Sequence, residues 1–261
     1  PNDLWQMDFK GHVAMDQGRC HPLTILDDHS RYLLGLFACA NERQETVQAH
    51  LTTVFRRHGM PLRLLCDACF PGGSPWGNRG LEGLTELEVW LLRCGVRMGH
   101  GKPFHPQTQG KDERFHRTLD VELLQGRRLV DLAACQPLFD RYRVVYNDER
   151  PHDALGLAVP ARRYRPSPAA FPERLPEPDY YATDIVRRVY DHGGVSLNGR
   201  RIKLSKALRG LQVAFRATAL DGVLDVFFMR FPIAQVDLRD PNAHGASVRK
   251  VSGHLSGTSP V

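Results

Sequence analysis

The stretch Trp5-Gln6-Met7-Asp8-Phe9-Lys10-Gly11 decides the fold, because it is an apolar strand with a carboxylate set in its middle. A buried Asp is costly unless its charge is met by a partner. Two more acidic residues keep similar company. Asp67 closes the apolar run Arg63-Leu64-Leu65-Cys66, and Glu113 stands in His105-Pro106-Gln107-Thr108-Gln109-Gly110-Lys111-Asp112-Glu113-Arg114-Phe115, where a helical pattern begins. Two carboxylates on strands and a third on a helix among basic residues are the parts of a metal-dependent phosphoryl-transfer site acting on nucleic acid.

Outward from Asp8, turns around Asp16 to Gly18 and His29 to Ser30 divide the first forty residues into three strands, which predicts an antiparallel meander. Val47, Leu51, Val54 and Phe55 then recur at helical spacing up to Gly59-Met60-Pro61. A short strand ending at Asp67, a helix over 81–94 and a strand over 96–98 follow, so the expected core is α/β with a mixed five-stranded sheet. Beyond a Gly-, Pro-, His- and Gln-rich loop over 99–110, Phe115, Leu119 and Leu123 mark the inward face of one helix. Leu132, Leu138, Tyr142, Val145 and Tyr146 mark that of another over 129–147.

Six of the eighteen prolines fall between Pro160 and Pro178, which predicts a semi-rigid linker. Five short strand signals separated by His-Gly-Gly, Leu-Asn-Gly-Arg and Leu-Asp-Gly turns predict a small β-barrel. The expected divisions are a core with helical extension over 1–158, a linker over 159–180, a basic barrel over 181–240 and a disordered tail over 241–261.

If the strands of Asp8 and Asp67 pair, their carboxylates converge at one end of the sheet and Glu113 closes the site from the next helix. Lys111, His116 and Arg117 stand near it to meet phosphates. Plainer readings exist: a turn-forming Asp67, and an ion pair of Glu113 with Arg117 one helical turn on. Asp27 and Asp28 read as turn residues, and His100 and His105 as unsuited to Mg²⁺. Between Asp184 and Arg216 eight Lys or Arg face two Asp. That bias, with Arg200, Arg201, Lys203 and Lys206 at its centre, suits a grip on DNA backbone.

The net charge of +6 fits a polyanionic partner, and the 25% charged and 42% hydrophobic fractions are those of a soluble protein. With no apolar run long enough to span a bilayer and no signal pattern, a cytoplasmic location without a membrane partner is expected. The six cysteines lie mostly in apolar runs and read as free thiols, and Cys66-x-x-Cys69 lacks the second pair a zinc site needs.

Four motifs, Trp5 to His12, Leu23 to Tyr32, His105 to Leu119 and Tyr146 to Leu155, together resemble the catalytic core of DDE transposases of bacterial insertion sequences, a core similar to that of retroviral integrases. The resemblance covers about residues 1 to 160. It implies an RNase H-like fold and two Mg²⁺ ions, replaceable by Mn²⁺, held by Asp8, Asp67 and Glu113. It also implies hydrolysis at element ends followed by 3′-hydroxyl attack on target DNA. Double-stranded DNA becomes the expected partner, contacted by Gln109, Lys111, His116, Arg117 and the basic barrel, with a homo-oligomer in the DNA complex. Because the chain starts with Pro1, a helix-turn-helix region of the family's kind is expected ahead of it. One departure stands out: Ala68-Cys69 follow Asp67 where family members commonly carry Asn-Gly. A nuclease without strand transfer and a domesticated, inactive DNA-binding protein are the rival readings.

Overall fold

The computed structural model describes residues 1–66, 84–100, 110–239 and 249–250. They divide between two compact units, one drawn from Pro1–Gly77 and His100–Phe171, the other from Asn78–Gly99 and Pro172–Val261.

In the first unit β1 (Leu4–Phe9) is followed by the two-residue β2 (Val13–Ala14), β3 (Arg19–Asp27) and β4 (Leu33–Cys39). The expected meander is present: β1 and β4 both pair antiparallel with β3, and β2 pairs with its start. Helix α1 (Gln44–His58) carries the chain back so that β5 (Arg63–Cys66) runs parallel to β1, Met7 opposite Cys66. Strand β1 is therefore central, and its alternating side chains serve different layers. Trp5 meets Phe55 of α1 at 5.9 Å between ring centroids. Gln6 and Asp8 point to the opposite face.

That face is covered, beyond α2 (Glu86–Arg93) and β6 (Arg97–His100) of the intervening sequence, by α3 (Gly110–Leu119), which continues into a π-helical turn over Asp120–Leu124, and then by α4 (Leu132–Val144). Phe115, Leu119, Leu123, Phe139, Tyr142 and Tyr146 share a core with Leu26, Leu33 and Leu36. The stripe expected on α3 is borne out. On α4 Val145 is 37% exposed, because the π-helical turn that begins there rotates it off the line of Phe139, Tyr142 and Tyr146. Two amides secure the backbone of β4. Gln136 accepts from Ala38 N at 2.8 Å and donates to Leu36 O at 3.1 Å, and buried Asn147 accepts from Leu33 N and donates to Leu33 O. An open strand edge is thereby covered.

The front half of the Pro-rich stretch does not hang free. Tyr164 stacks on Tyr32 at 4.2 Å, Phe171 packs beside Phe55 under Arg56, and Ser167 N and Ala169 O hydrogen-bond to His58 O and Met60 N. Proline only forbids the helix here; the aromatic residues between the prolines still have surface to bury.

In the second unit Thr85 and Glu88 form a capping box at the start of α2 (Glu86–Arg93), and Arg97–His100 forms β6. Helix α2 lends Val89 and Leu92 to the core of the C-terminal β-structure. Strands β7 (Ile185–Arg188), β10 (Gln212–Ala217), β11 (Val223–Phe228), β12 (Phe231–Asp237) and β13 (Arg249–Lys250) make one antiparallel sheet in the order β13-β12-β11-β10-β7. Strands β8 (Gly194–Leu197) and β9 (Arg200–Lys203) stand apart as a hairpin. Its turn has Asn198 and Gly199 at positive φ, the arrangement the Leu-Asn-Gly-Arg signal predicts. Where a small β-barrel is expected, this unit is an antiparallel β-domain whose pairing, among the described residues, gives a five-stranded sheet and a separate hairpin with no closed ring. Packing of Val195, Leu197 and Ile202 with Val213, Phe215, Val226 and Phe228 closes the core without ring closure.

Among the described residues no helix is long and apolar enough to cross a membrane. Cys20, Cys39, Cys94 and Cys135 are free and buried, as expected, and Cys66 is buried as well. Burial pushes the thiols of Cys20, Cys39 and Cys94 up to about 12, which keeps them unreactive. Cys69 lies outside the described residues, as do 241–248 and 251–261 of the tail expected over 241–261, whereas Arg249–Lys250 within it pair with β12.

Gly59 ends α1 at φ 72° and ψ −174°, and a Cβ there would stand 2.3 Å from Ser167 O. Gly59→Ala is expected to destabilise the protein by at least ~2 kcal/mol, since the conformation is nearly glycine-only and a backbone carbonyl blocks the methyl. Urea unfolding of the two proteins checks this; a loss below ~0.5 kcal/mol would mean that the 160–171 segment gives way at no cost.

Candidate active site

Asp8 stands directly opposite Thr24 on β3. Thr24 Oγ1 donates to the Asp8 carbonyl at 3.0 Å and lies 3.0 Å from His116 Nε2. A threonine has one hydroxyl proton, so with that proton on the Asp8 carbonyl the contact to His116 requires a protonated Nε2. Burial, helped by Lys10, lowers the His116 pKa to about 4, against Asp120, so the ring is neutral at pH 7. Its Nδ1 then carries a lone pair, 4.0 Å from Asp8 Oδ2. Lys10 is itself paired with Asp120 at 2.7 Å. His116 thus lies inward, fixed by Thr24 against the Asp8 carboxylate.

Three polar residues that sequence reasoning passed over complete this seam. Buried Gln6 donates to Asp28 Oδ1 at 2.6 Å, and Lys111 Nζ reaches Asp28 Oδ2 at 2.6 Å. Asp28 is therefore more than a turn residue, whereas Asp27 is one: its carboxylate accepts from Ser30 N and Oγ and from Asn2 N. Asp112 is 1% exposed, and neither of its carboxyl oxygens has a hydrogen-bond partner among the described residues. Burial first, then the charges of Asp8 and Asp28, raise its pKa well above the ordinary value, with Lys111 opposing. The spacing had a signal for this: 112 precedes Phe115, Leu119 and Leu123 on the inward stripe.

Glu113 and Arg117 are exposed on α3, and no ion pair joins them among the described residues. The plainer reading of Glu113 therefore loses its support. Asp67 and Gln109 lie outside the described residues, but Cys66, the residue before Asp67, stands opposite Met7, the residue before Asp8. Among the described residues no three His, Cys, Asp or Glu side chains converge as a metal-holding group. The chemistry still suits a hard cation: the donors are carboxylate oxygens, and Asp8 and Asp28 together oppose a further negative charge at Asp112.

In the second unit Arg201 and Lys203 alternate with buried Ile202 on β9, Arg200 is half-buried, and Lys206 is exposed on the following turn. Arg216 is committed elsewhere. It pairs bidentately with Asp184 at 2.8 and 2.9 Å and lies over the Phe227 ring at 4.0 Å. Arg209 leans 3.8 Å from Glu86.

Models of the integrase core domain match residues 1–106 and 94–160, and the C-terminal domain model of IS481 family transposases matches residues 184–244. The chain belongs to the transposase/integrase family. Among its relatives is the 31.7 kDa protein of insertion element IS407 from Burkholderia multivorans, 25% identical over 66% of this chain and 61% of that protein. Another is the 39.2 kDa protein of insertion element IS476 from Xanthomonas euvesicatoria, 26% identical over 62% of this chain and 44% of that one. The chain thus spans only about two-fifths to three-fifths of these relatives' lengths. The integrase assembly (intasome) of simian T-cell lymphotropic virus shares the fold, with TM-score 0.51 and 13% identity over 92% of this chain and 80% of that one. The catalytic core of BIV integrase is similar at TM-score 0.45 and 22% identity, over 63% of this chain and 94% of that one. By the integrase-core models and the fold shared with the intasome chain, the core of this transposase/integrase chain is the expected RNase H-like one, with a C-terminal antiparallel β-domain after it.

Asp112 generates a pH prediction. Its folded-state pKa exceeds the unfolded 3.8, so the contribution to stability is complete below pH ~4 and falls as pH rises toward the folded value. In chelator, Asp112→Asn is expected to flatten this decline and to stabilise the protein near pH 7 by on the order of 1–3 kcal/mol. Thermal unfolding across pH 4–8 measures it, and an Asn variant that declines as steeply as the parent would overturn the assignment.

Proposed function

We propose that the chain is a DDE-type transposase: it hydrolyses phosphodiesters at element ends and then drives the freed 3′-hydroxyl into target DNA. One observation carries the reading. In an integrase-type core, the parallel register of β1 and β5 aligns the residues preceding Asp8 and Asp67, while α3 packs His116 against Asp8. The third carboxylate of the reading, Glu113, is on the exposed face of the same helix.

Asp8, Asp67 and Glu113 would hold two Mg²⁺ ions, with Mn²⁺ as a substitute. When bound, such ions supply charge neutralisation at the reacting phosphate and activate the attacking oxygen. The chain's own residues do the rest. Thr24 fixes the His116 ring against Asp8, and the Asp28–Lys111 pair anchors the first turn of α3, from which Glu113 projects. Duplex DNA, at element ends and target, is the proposed partner, and a homo-oligomer is the proposed working form. In this reading Gln109, Lys111 and Arg117 meet DNA beside the carboxylates, and the basic face of β9 grips DNA backbone.

Asp8→Asn, Asp67→Asn and Glu113→Gln are each expected to reduce cleavage and strand transfer by on the order of 10³-fold or more, with combined losses far from additive. Mg²⁺ and Mn²⁺ should support turnover, and Ca²⁺ should bind without supporting it. Assays on matched terminal repeats read both steps. Near-normal turnover in any one variant removes that residue, full activity in chelator removes the metal, and cleavage without joining favours the nuclease reading.

Charge reversal at Arg200, Arg201 and Lys203 should weaken DNA binding about equally across sequences and flatten its salt dependence, while turnover at saturating DNA survives. An unchanged slope of log affinity against log salt would show the β9 face to be merely solvated.

A further inference from the structure

A cavity of about 610 Å³ lies on the flank of α3 away from Asp8, between that helix and the segment Tyr146–Ala154. Arg31, Lys111, Arg114 and Arg150 line it, with Tyr146 and His152 in its wall. Carboxylates answer only two of these four cations: Asp28 pairs with Lys111 at 2.6 Å and Glu122 with Arg150 at 2.9 Å. Among the described residues Arg31 and Arg114 have no carboxylate partner, and the one carboxylate in the lining, Asp153, is exposed.

Two further features point to a ligand. Arg31 is held at φ 63°, a left-handed conformation uncommon outside glycine, by the turn in which its N–H donates to Asp27 O. The guanidinium donates to the Asp28 carbonyl, so the strained turn fixes a cation at the cavity rim. His152 is T-stacked on Tyr146 at 4.7 Å, and its buried Nε2 has no hydrogen-bond partner. A wall with unanswered guanidinium groups and an unused imidazole nitrogen suits a tetrahedral oxyanion.

We propose that this cavity holds one backbone phosphate of the DNA strand, seated by Arg31 and Arg114 with His152 as a further hydrogen-bonding group. The assignment rests on the transposase reading and adds to it a fixed register point. Arg114 follows Glu113 directly, so a phosphate held here would set which linkage of the strand lies across the face of Asp8.

The test is binding in chelator, which separates recognition from chemistry. Terminal-repeat duplexes carrying a single neutral methylphosphonate are scanned linkage by linkage by fluorescence anisotropy, with the wild type and with Arg31→Gln/Arg114→Gln. The wild type is expected to lose roughly ten- to hundred-fold in affinity at one linkage more than at its neighbours, as for a lost charge-assisted hydrogen bond. The double variant should bind the unmodified duplex more weakly by a similar factor, be indifferent to that linkage, and lose about one from its salt slope. Arg114→Gln alone, at an exposed site, guards against a folding defect and should show part of the effect. Equal sensitivity of wild type and double variant at every linkage overturns the proposal while leaving the transposase reading intact. A wild type that binds no duplex overturns that reading instead. Stabilisation of the wild type alone by inorganic phosphate, with an unchanged linkage scan, would assign the cavity to a free anion and overturn the DNA assignment.

Discussion

Everything in the first unit depends on β1 being the central strand. It pairs antiparallel with β3 on one side and parallel with β5 on the other, so both of its edges are satisfied, and α1 and α3 pack on its two faces. One face carries Trp5, Met7 and Phe9 and is apolar throughout. The other carries Gln6 and Asp8, which in a plain core would be a serious cost. That cost is offset by a polar seam: Gln6 is held by Asp28, Asp28 by Lys111, and the strand opposite supplies Thr24 to fix His116. Such a network is tolerated only if its members are satisfied, and among the described residues Asp112 is the member with neither carboxyl oxygen hydrogen-bonded, beside single unmet oxygens on Gln6 and Asp8.

Helix α3 distributes its roles by phase. Asp112, Phe115 and Leu119 turn inward, Lys111, Arg114 and Thr118 line the cavity, and Glu113 and Arg117 face outward. The four successive residues Lys111-Asp112-Glu113-Arg114 therefore serve three different surfaces, because each step around a helix turns through about 100°. A run of charges that reads as one basic and acidic cluster is in fact sorted onto separate surfaces.

This sorting explains what was legible in the sequence. The meander, α1, the return through Arg63-Leu64-Leu65-Cys66 and the apolar stripe of α3 are local patterns of period two or near four, and they emerge as expected. Asp28 does more than its turn signal conveys because such a signal describes backbone only, while its side chain is recruited by Gln6 and Lys111, far away in sequence. Asp112 was passed over because its charge hid a position that helical spacing had already turned inward. Ring closure is illegible for a related reason: strand and turn signals fix hairpins, but closure depends on pairing between distant strands, which no local pattern encodes.

Charge counting in the second unit meets the same difficulty. Eight basic residues between 184 and 216 look like one surface, yet Arg216 is neutralised by Asp184, whose carboxyl it holds below the ordinary range, and its guanidinium lies over aromatic rings. That arginine fastens β10 to the segment leading into β7 and has little left for a polyanion. On β9, by contrast, strand alternation turns Arg201 and Lys203 outward around the buried Ile202. The exposed charge therefore follows the strand period more closely than the count, and it is concentrated along one edge of a hairpin whose other side is anchored in the core.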